Sequence, residues 1–120
     1  MPLDRLAKVR AKLDELRVDA LLINRYEHRR WVSGVAAHDA SPTATAGWVI
    51  VTPERAVLVT SFLYYGQAVA EADGVEVVQF PLAQRLHEAG AEQIRALGAR
   101  RVGFEAPWLT FKTHAELAGA

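Results

Sequence analysis

The sequence predicts a layered α/β domain, three layers deep, with a mixed β-sheet flanked by helices. Three observations lead there. Short apolar runs of strand length alternate with longer segments whose apolar residues recur at helical spacing. Two of the runs are joined by a proline-containing turn, which adds an antiparallel hairpin to an otherwise crossover-rich order. The chain has 120 residues, the usual size of one domain with one core, and 51% of them are hydrophobic.

The elements follow in order. Leu3, Leu6, Val9, Leu13 and Leu16 recur with a helical period between Arg5, Lys8, Lys12 and Glu15, so an amphipathic helix is expected to end near Arg17. Ala20 to Ile23 is a continuous apolar run, short enough for a strand buried on both faces and broken by Asn24. Tyr26 to Ser33 suits a short helix, with Gly34 placed for a left-handed stop. Val35 to Gly47 has no apolar period and reads as a loop. Trp48 to Val51 and Ala56 to Val59 flank Thr52-Pro53-Glu54-Arg55, where proline presets the turn of a hairpin. Phe62 to Asp73 reads as a helix stopped by Gly74, and Val75 to Phe80 as a strand. Leu82 to Leu97 returns to helical spacing through Leu86, Ala89, Ile94 and Leu97 before Gly98. Gly90 inside that segment carries the usual helix penalty, about 1 kcal/mol relative to alanine. Arg101 to Phe104 is a last strand, and Thr110 is placed to cap a helix running to Ala120. That helix has only about three turns, from the rise per residue, so the sequence is expected to end at a domain boundary, with residues 1–120 one domain.

Composition excludes several function classes. Lys and Arg number 14, as do Asp and Glu, and the formal net charge is zero. A phosphate-binding surface needs a positive excess, and only Arg25-Tyr26-Glu27-His28-Arg29-Arg30 is locally basic, so no nucleic-acid partner is expected. The absence of cysteine removes disulfides, thiolate nucleophiles and Cys-based zinc sites. The start, Met1-Pro2-Leu3-Asp4-Arg5, has no signal-peptide pattern, and the apolar runs are too short to span a bilayer. No membrane association and a cytoplasmic location are the expectation.

Chemistry-bearing patterns are sparse. The four histidines, His28, His38, His87 and His114, form neither HExxH nor HxH, so no metal site and no catalytic residue is expected within the chain. Ser33 and Ser41 lie near His38 and Asp39, from which a small hydrolase can be imagined. No GxSxG elbow supports it, and the simpler reading is a solvated loop. Neither GxGxxG after a strand nor a P-loop pattern is present, so no nucleotide cofactor is expected. Among the aromatics, Trp31, Trp48 and Phe104 read as core. Phe62-Leu63-Tyr64-Tyr65 differs, because four consecutive large residues cannot all face one core. Phe62, Tyr64 and Tyr65 are therefore the interface candidates.

Taken together, the segments resemble the N-terminal domain of the creatinase, prolidase and Xaa-Pro aminopeptidase family (peptidase family M24). Arg5 to Leu13 followed by Val18 to Ile23 resembles its first helix and strand. Glu27 to Val35 resembles ENIRYLTGF, with His28 for Asn and Trp31 for Tyr. Leu58-Val59-Thr60 and Tyr64-Tyr65-Gly66-Gln67-Ala68 resemble LLTDGRYYEQA, and Arg101 to Glu105 with Leu109-Thr110-Phe111 resembles RVGFEADHLTF. The pieces lie in register along nearly the whole chain. There are two departures: Ser61-Phe62-Leu63 replaces Asp-Gly-Arg, removing both charges, and the loop from Ala36 to Pro42 matches no subfamily pattern.

The resemblance implies a creatinase/prolidase N-terminal fold with a ribonuclease H-like motif. It further implies a C-terminal pita-bread catalytic domain, outside this chain, that holds two divalent ions (Mn, Co or Zn) and hydrolyses a peptide substrate. The N-terminal domain would be a non-catalytic accessory to that domain, building a homodimer or tetramer and helping shape the substrate cleft. His38 and Asp39, on the loop after the YLTGF-like segment, are the positions implied to reach the cleft. Dipeptidase, aminopeptidase and creatinase-like amidinohydrolase specificities all remain compatible, as does a stand-alone protein-interaction module with the same fold.

Overall fold

The computed structural model describes residues 2–39 and 45–120. Five helices and five strands follow one another as α1 (Pro2–Leu16), β1 (Ala20–Ile23), α2 (Tyr26–Ser33), β2 (Trp48–Val51), β3 (Ala56–Thr60), α3 (Phe62–Glu71), β4 (Glu76–Gln79), α4 (Leu86–Ala96), β5 (Val102–Phe104) and α5 (Phe111–Gly119). The sheet order is β4-β3-β2-β1-β5. β1–β2 and β2–β3 are antiparallel, whereas β1–β5 and β3–β4 are parallel, so the sheet is mixed, as expected.

The central strands β1, β2 and β3 read as nearly unbroken apolar runs because both faces of the sheet are covered there. Side chains alternate between two cores. Ile23, Val49, Val51 and Leu58 enter one, where they meet Leu6 and Val9 of α1, Val32 of α2 and Ala68 of α3. Leu22, Trp48, Ile50, Val57 and Val59 enter the other, against Ala89 of α4, with Leu86, Ile94 and Leu117 packed around them. The result is helices, sheet, helices: three layers. The register Leu22↔Ile50↔Val57 holds this alternation in phase across the hairpin. The hairpin turn is closed by Thr52, whose backbone N–H donates to Arg55 O (2.8 Å) and whose hydroxyl oxygen accepts from Arg55 N–H (3.0 Å).

Helix ends differ from the expectations where tertiary bonds capture the backbone. α3 stops at Glu71 rather than Asp73, because Asp73 N–H donates to Ser33 O (2.9 Å) and leaves the helical ladder. α4 starts at Leu86 rather than Leu82. Residues 81–84 form a turn closed by Gln84 N–H to Pro81 O (2.9 Å), Leu82 is exposed, and the Glu88 carboxylate accepts from Arg85 N–H (2.9 Å) to open the helix. Gly34 ends α2 with φ 81°, as its position predicts. Thr110 caps α5, its hydroxyl oxygen accepting from Thr113 N–H (3.1 Å).

The aromatic expectations divide. Trp48 is fully buried at 1% exposure. Trp31 and Phe104, expected in the core, are instead 41% and 40% exposed. Trp31 lies on the outer face of α2 with the Arg5 guanidinium 5.9 Å from its ring centre. Phe104 lies on an edge strand, tilted against His114 at 4.8 Å.

Candidate functional site

β1 and β5 are parallel neighbours, and the first residues beyond their carboxyl ends, Asn24 and Glu105, meet there. Ligand clefts in α/β folds favour this edge, where the chain leaves the sheet and loops diverge. One Glu105 carboxylate oxygen accepts from Asn24 N–H (2.7 Å) and Arg25 N–H (3.0 Å), and the other bonds His28 Nδ1. Asn24 Nδ2 donates to Trp108 O (2.8 Å). The start of α2 is thereby tied to the segment after β5.

Above this junction opens a cleft of about 430 Å³, with Asn24, Arg25, Tyr26, His38, Asp39 and Trp108 among its lining residues. The Arg25 guanidinium lies over Trp108 (3.9 Å to the ring centre) and donates through Nε to Glu27 (2.9 Å). The Glu27 carboxyl is held below its ordinary value, first by its own backbone N–H and then by Arg25. His38 is exposed and stacks on Tyr26 with ring centres 4.3 Å apart. Tyr26 Oη and His38 Nε2 lie 3.3 Å apart.

Arg29 is the unexpected member. Its side chain is 2% exposed, yet it is a cation on a short helix. Nη1 donates to Asn24 O (2.6 Å) and Thr45 Oγ1 (3.1 Å), and Nη2 to Ala37 O (2.9 Å) and Asp39 Oδ1 (2.7 Å). The same Asp39 oxygen accepts from Ala46 N–H (2.7 Å). Within the basic run 25–30 its residue type does not single it out. The signal was its spacing: with Val32 and Ser33 it forms the buried face of α2, and such a face admits a cation only where acceptors await it. Asn24 and Glu105 were likewise missed, because their meeting depends on the β1–β5 pairing across 81 residues.

The other expected site residues are dispersed. The Ser33 hydroxyl is buried, donating to Arg29 O (2.6 Å) and accepting from Val35 N–H (3.2 Å), which leaves it no nucleophilic role. Ser41 lies outside the described residues. Phe62 and Tyr65 are exposed on α3 and Tyr64 packs partly into the first core; none of them lines the cleft. Among the described residues no three His, Asp or Glu side chains are grouped to hold a metal ion, so the donors present do not fit one.

Comparison with known proteins matches residues 5–120 to the creatinase/prolidase N-terminal domain. The chain belongs to this family. It is 27% identical over 111 residues to the uncharacterized peptidase YqhT of Bacillus subtilis, covering 92% of this chain and 29% of that protein. An Xaa-Pro dipeptidase from Bacillus anthracis superposes over 100% of this chain and 31% of its own, at 28% identity and a TM-score of 0.88. The N-terminal domain of the cytoplasmic peptidase PepQ from Mycobacterium tuberculosis H37Rv matches over 97% of this chain and 83% of its own, at 29% identity and a TM-score of 0.80. The chain thus spans under a third of the length of YqhT and of the Bacillus anthracis dipeptidase. The described residues contain no helix long and apolar enough to cross a membrane.

Proposed function

We propose that this creatinase/prolidase N-terminal domain is the non-catalytic accessory of a metal-dependent Xaa-Pro hydrolase, and that the His38-Asp39 loop forms part of that enzyme's substrate cleft. The observation that carries this reading is a formed cleft with no group of His, Asp or Glu side chains, among the described residues, that could hold a metal ion. Likeness over under a third of an Xaa-Pro dipeptidase supports placing the hydrolytic machinery in a separate C-terminal domain of the same protein, which would hold the two divalent ions. The domain's share of the work is to orient the peptide and exclude water, which can contribute large rate factors without chemistry of its own.

The uncharged stretch from Phe62 to Ala70 supports a second part of the proposal. It leaves Phe62, Leu63, Tyr65 and Val69 exposed on α3, and this apolar surface would be where copies of the protein associate into a dimer or tetramer. A cytoplasmic location fits the company of PepQ.

Calorimetric titration of Mn²⁺ into the 120-residue chain should show no stoichiometric binding, and the chain should not cleave an Xaa-Pro dipeptide. In the full-length protein, His38→Ala should raise KM for the peptide while leaving metal content and fold unchanged. Two equivalents of tightly bound Mn²⁺ in the isolated chain, or an unaltered KM in the His38 variant, would overturn the reading.

A further inference from the structure

We infer that Arg29 is the positioning residue of the cleft loop: it holds His38 at the cleft by gripping the chain on both sides of it. The inference rests on the cleft-loop reading only for its consequence in catalysis; its geometry stands by itself. The two residues flanking His38 are Ala37 and Asp39, and a single nitrogen, Arg29 Nη2, bonds both (2.9 and 2.7 Å). Nη1 reaches across to Thr45 and back to the end of β1 at Asn24. Asp39 relays the hold to Ala46 N–H, and Thr45 Oγ1 donates to Gly47 O (2.9 Å), next to Trp48 at the start of β2. The loop's departure from α2 and its return to the sheet are therefore fixed by one guanidinium.

The burial explains why arginine stands here. A cation removed from water is tolerated only when nearly every N–H finds an acceptor, and its four bonds go to the loop and to Asn24, just beyond β1. A lysine ammonium, a compact point charge with three donors, cannot span the two sides of the loop as a planar fork does. Tyr26 completes the arrangement, with the Arg29 guanidinium 5.8 Å from its ring centre and the His38 ring stacked on it.

The test uses the 120-residue chain and two NMR readouts: the His38 ring-proton shifts, which the Tyr26 ring current displaces, and amide exchange at Ala46 compared with Ile50 in the sheet. Arg29→Lys should remove the His38 displacement and speed Ala46 exchange by about 100-fold relative to Ile50, as local rather than global opening. Asp39→Ala, at a partly exposed side chain and so less disruptive to folding, should do the same in smaller measure, whereas Asp39→Asn, which keeps the accepting oxygen, should largely restore both signals. Equal acceleration at Ala46 and Ile50 in Arg29→Lys would mark Arg29 as merely structural and overturn the assignment. So would an undisturbed His38 signal in Asp39→Ala, which also decides the matter if the lysine variant does not fold. Because no substrate enters these measurements, their failure is distinct from an unaltered KM in the His38 variant.

Discussion

Replacing Gly90 by alanine should destabilise the protein although it improves the helix. Gly90 lies inside α4, where alanine is favoured by about 1 kcal/mol. Here, however, a Cβ would fall 2.5 Å from Trp48 Cζ3 and 2.7 Å from Cε3. Carbon atoms rest at about 3.5–4.0 Å, so the overlap is roughly 1 Å against a rigid indole. Trp48 is 1% exposed and shares a buried cluster with Val57, Val59 and Ala89, so moving the ring disturbs packed neighbours. Overpacking of this kind costs about 3 kcal/mol at the upper end of its range. The net loss is then about 2 kcal/mol, or about 8 °C in Tm for a domain of this size. Urea unfolding followed by far-ultraviolet circular dichroism measures the loss. A double-mutant cycle with Trp48→Phe should show positive coupling, the smaller ring costing less beside alanine than beside glycine. Equal or greater stability of Gly90→Ala, or strict additivity in the cycle, would refute the close contact between α4 and the sheet.

Three further outcomes follow from the same geometry. Gly34→Ala should lose about 1–2 kcal/mol in urea unfolding, since φ of 81° strains an L side chain and its Cβ would lie 3.1 Å from Glu71 O; Gly34→Asn should lose less. Thr110→Ala should cost about 1 kcal/mol, with the Thr113 amide losing exchange protection ahead of the sheet. Asp19 accepts hydrogen bonds from Arg101 N–H and Arg100 N–H (both 2.9 Å), which hold its carboxyl below the ordinary 3.8. A folded carboxylate that resists protonation more than its unfolded counterpart contributes its full stabilisation above pH 3.8 and loses it as the pH falls through the lower folded value. Asp19→Asn should therefore flatten the acid limb of a stability–pH profile and leave its neutral region parallel.

Much of the architecture was legible in the residues because local patterns and burial agree here. β1, α2 and β2 have the bounds read from the sequence, as their edges carry unambiguous breakers in Asn24, Gly34 and Thr52. The misreadings share a cause. Leu82 fitted a helical period but faces solvent, because a period records spacing and not whether a partner surface exists. Trp31 and Phe104 were assigned to the core on size alone, although an outer helix face and an edge strand leave a large ring half in water. At the cleft, the sequence singled out His38 and Asp39 but not Tyr26 and Arg29, which only the folded chain brings against them.

Alternating periodicities, turn residues and charge balance by themselves determined the layered α/β class, the mixed sheet and the absence of a cysteine-based site. Those properties depend on near neighbours in the chain and on composition, which a linear sequence carries in full. Only the tertiary structure decided that a glycine in α4 admits an indole ring, that Arg29 rather than a neighbouring arginine is buried, and that Asn24 and Glu105 meet beyond the ends of β1 and β5. Each depends on which distant segments pair across the sheet, and hydrogen bonds spanning about 80 residues, as between Arg25 and Glu105, leave no periodic trace in the chain.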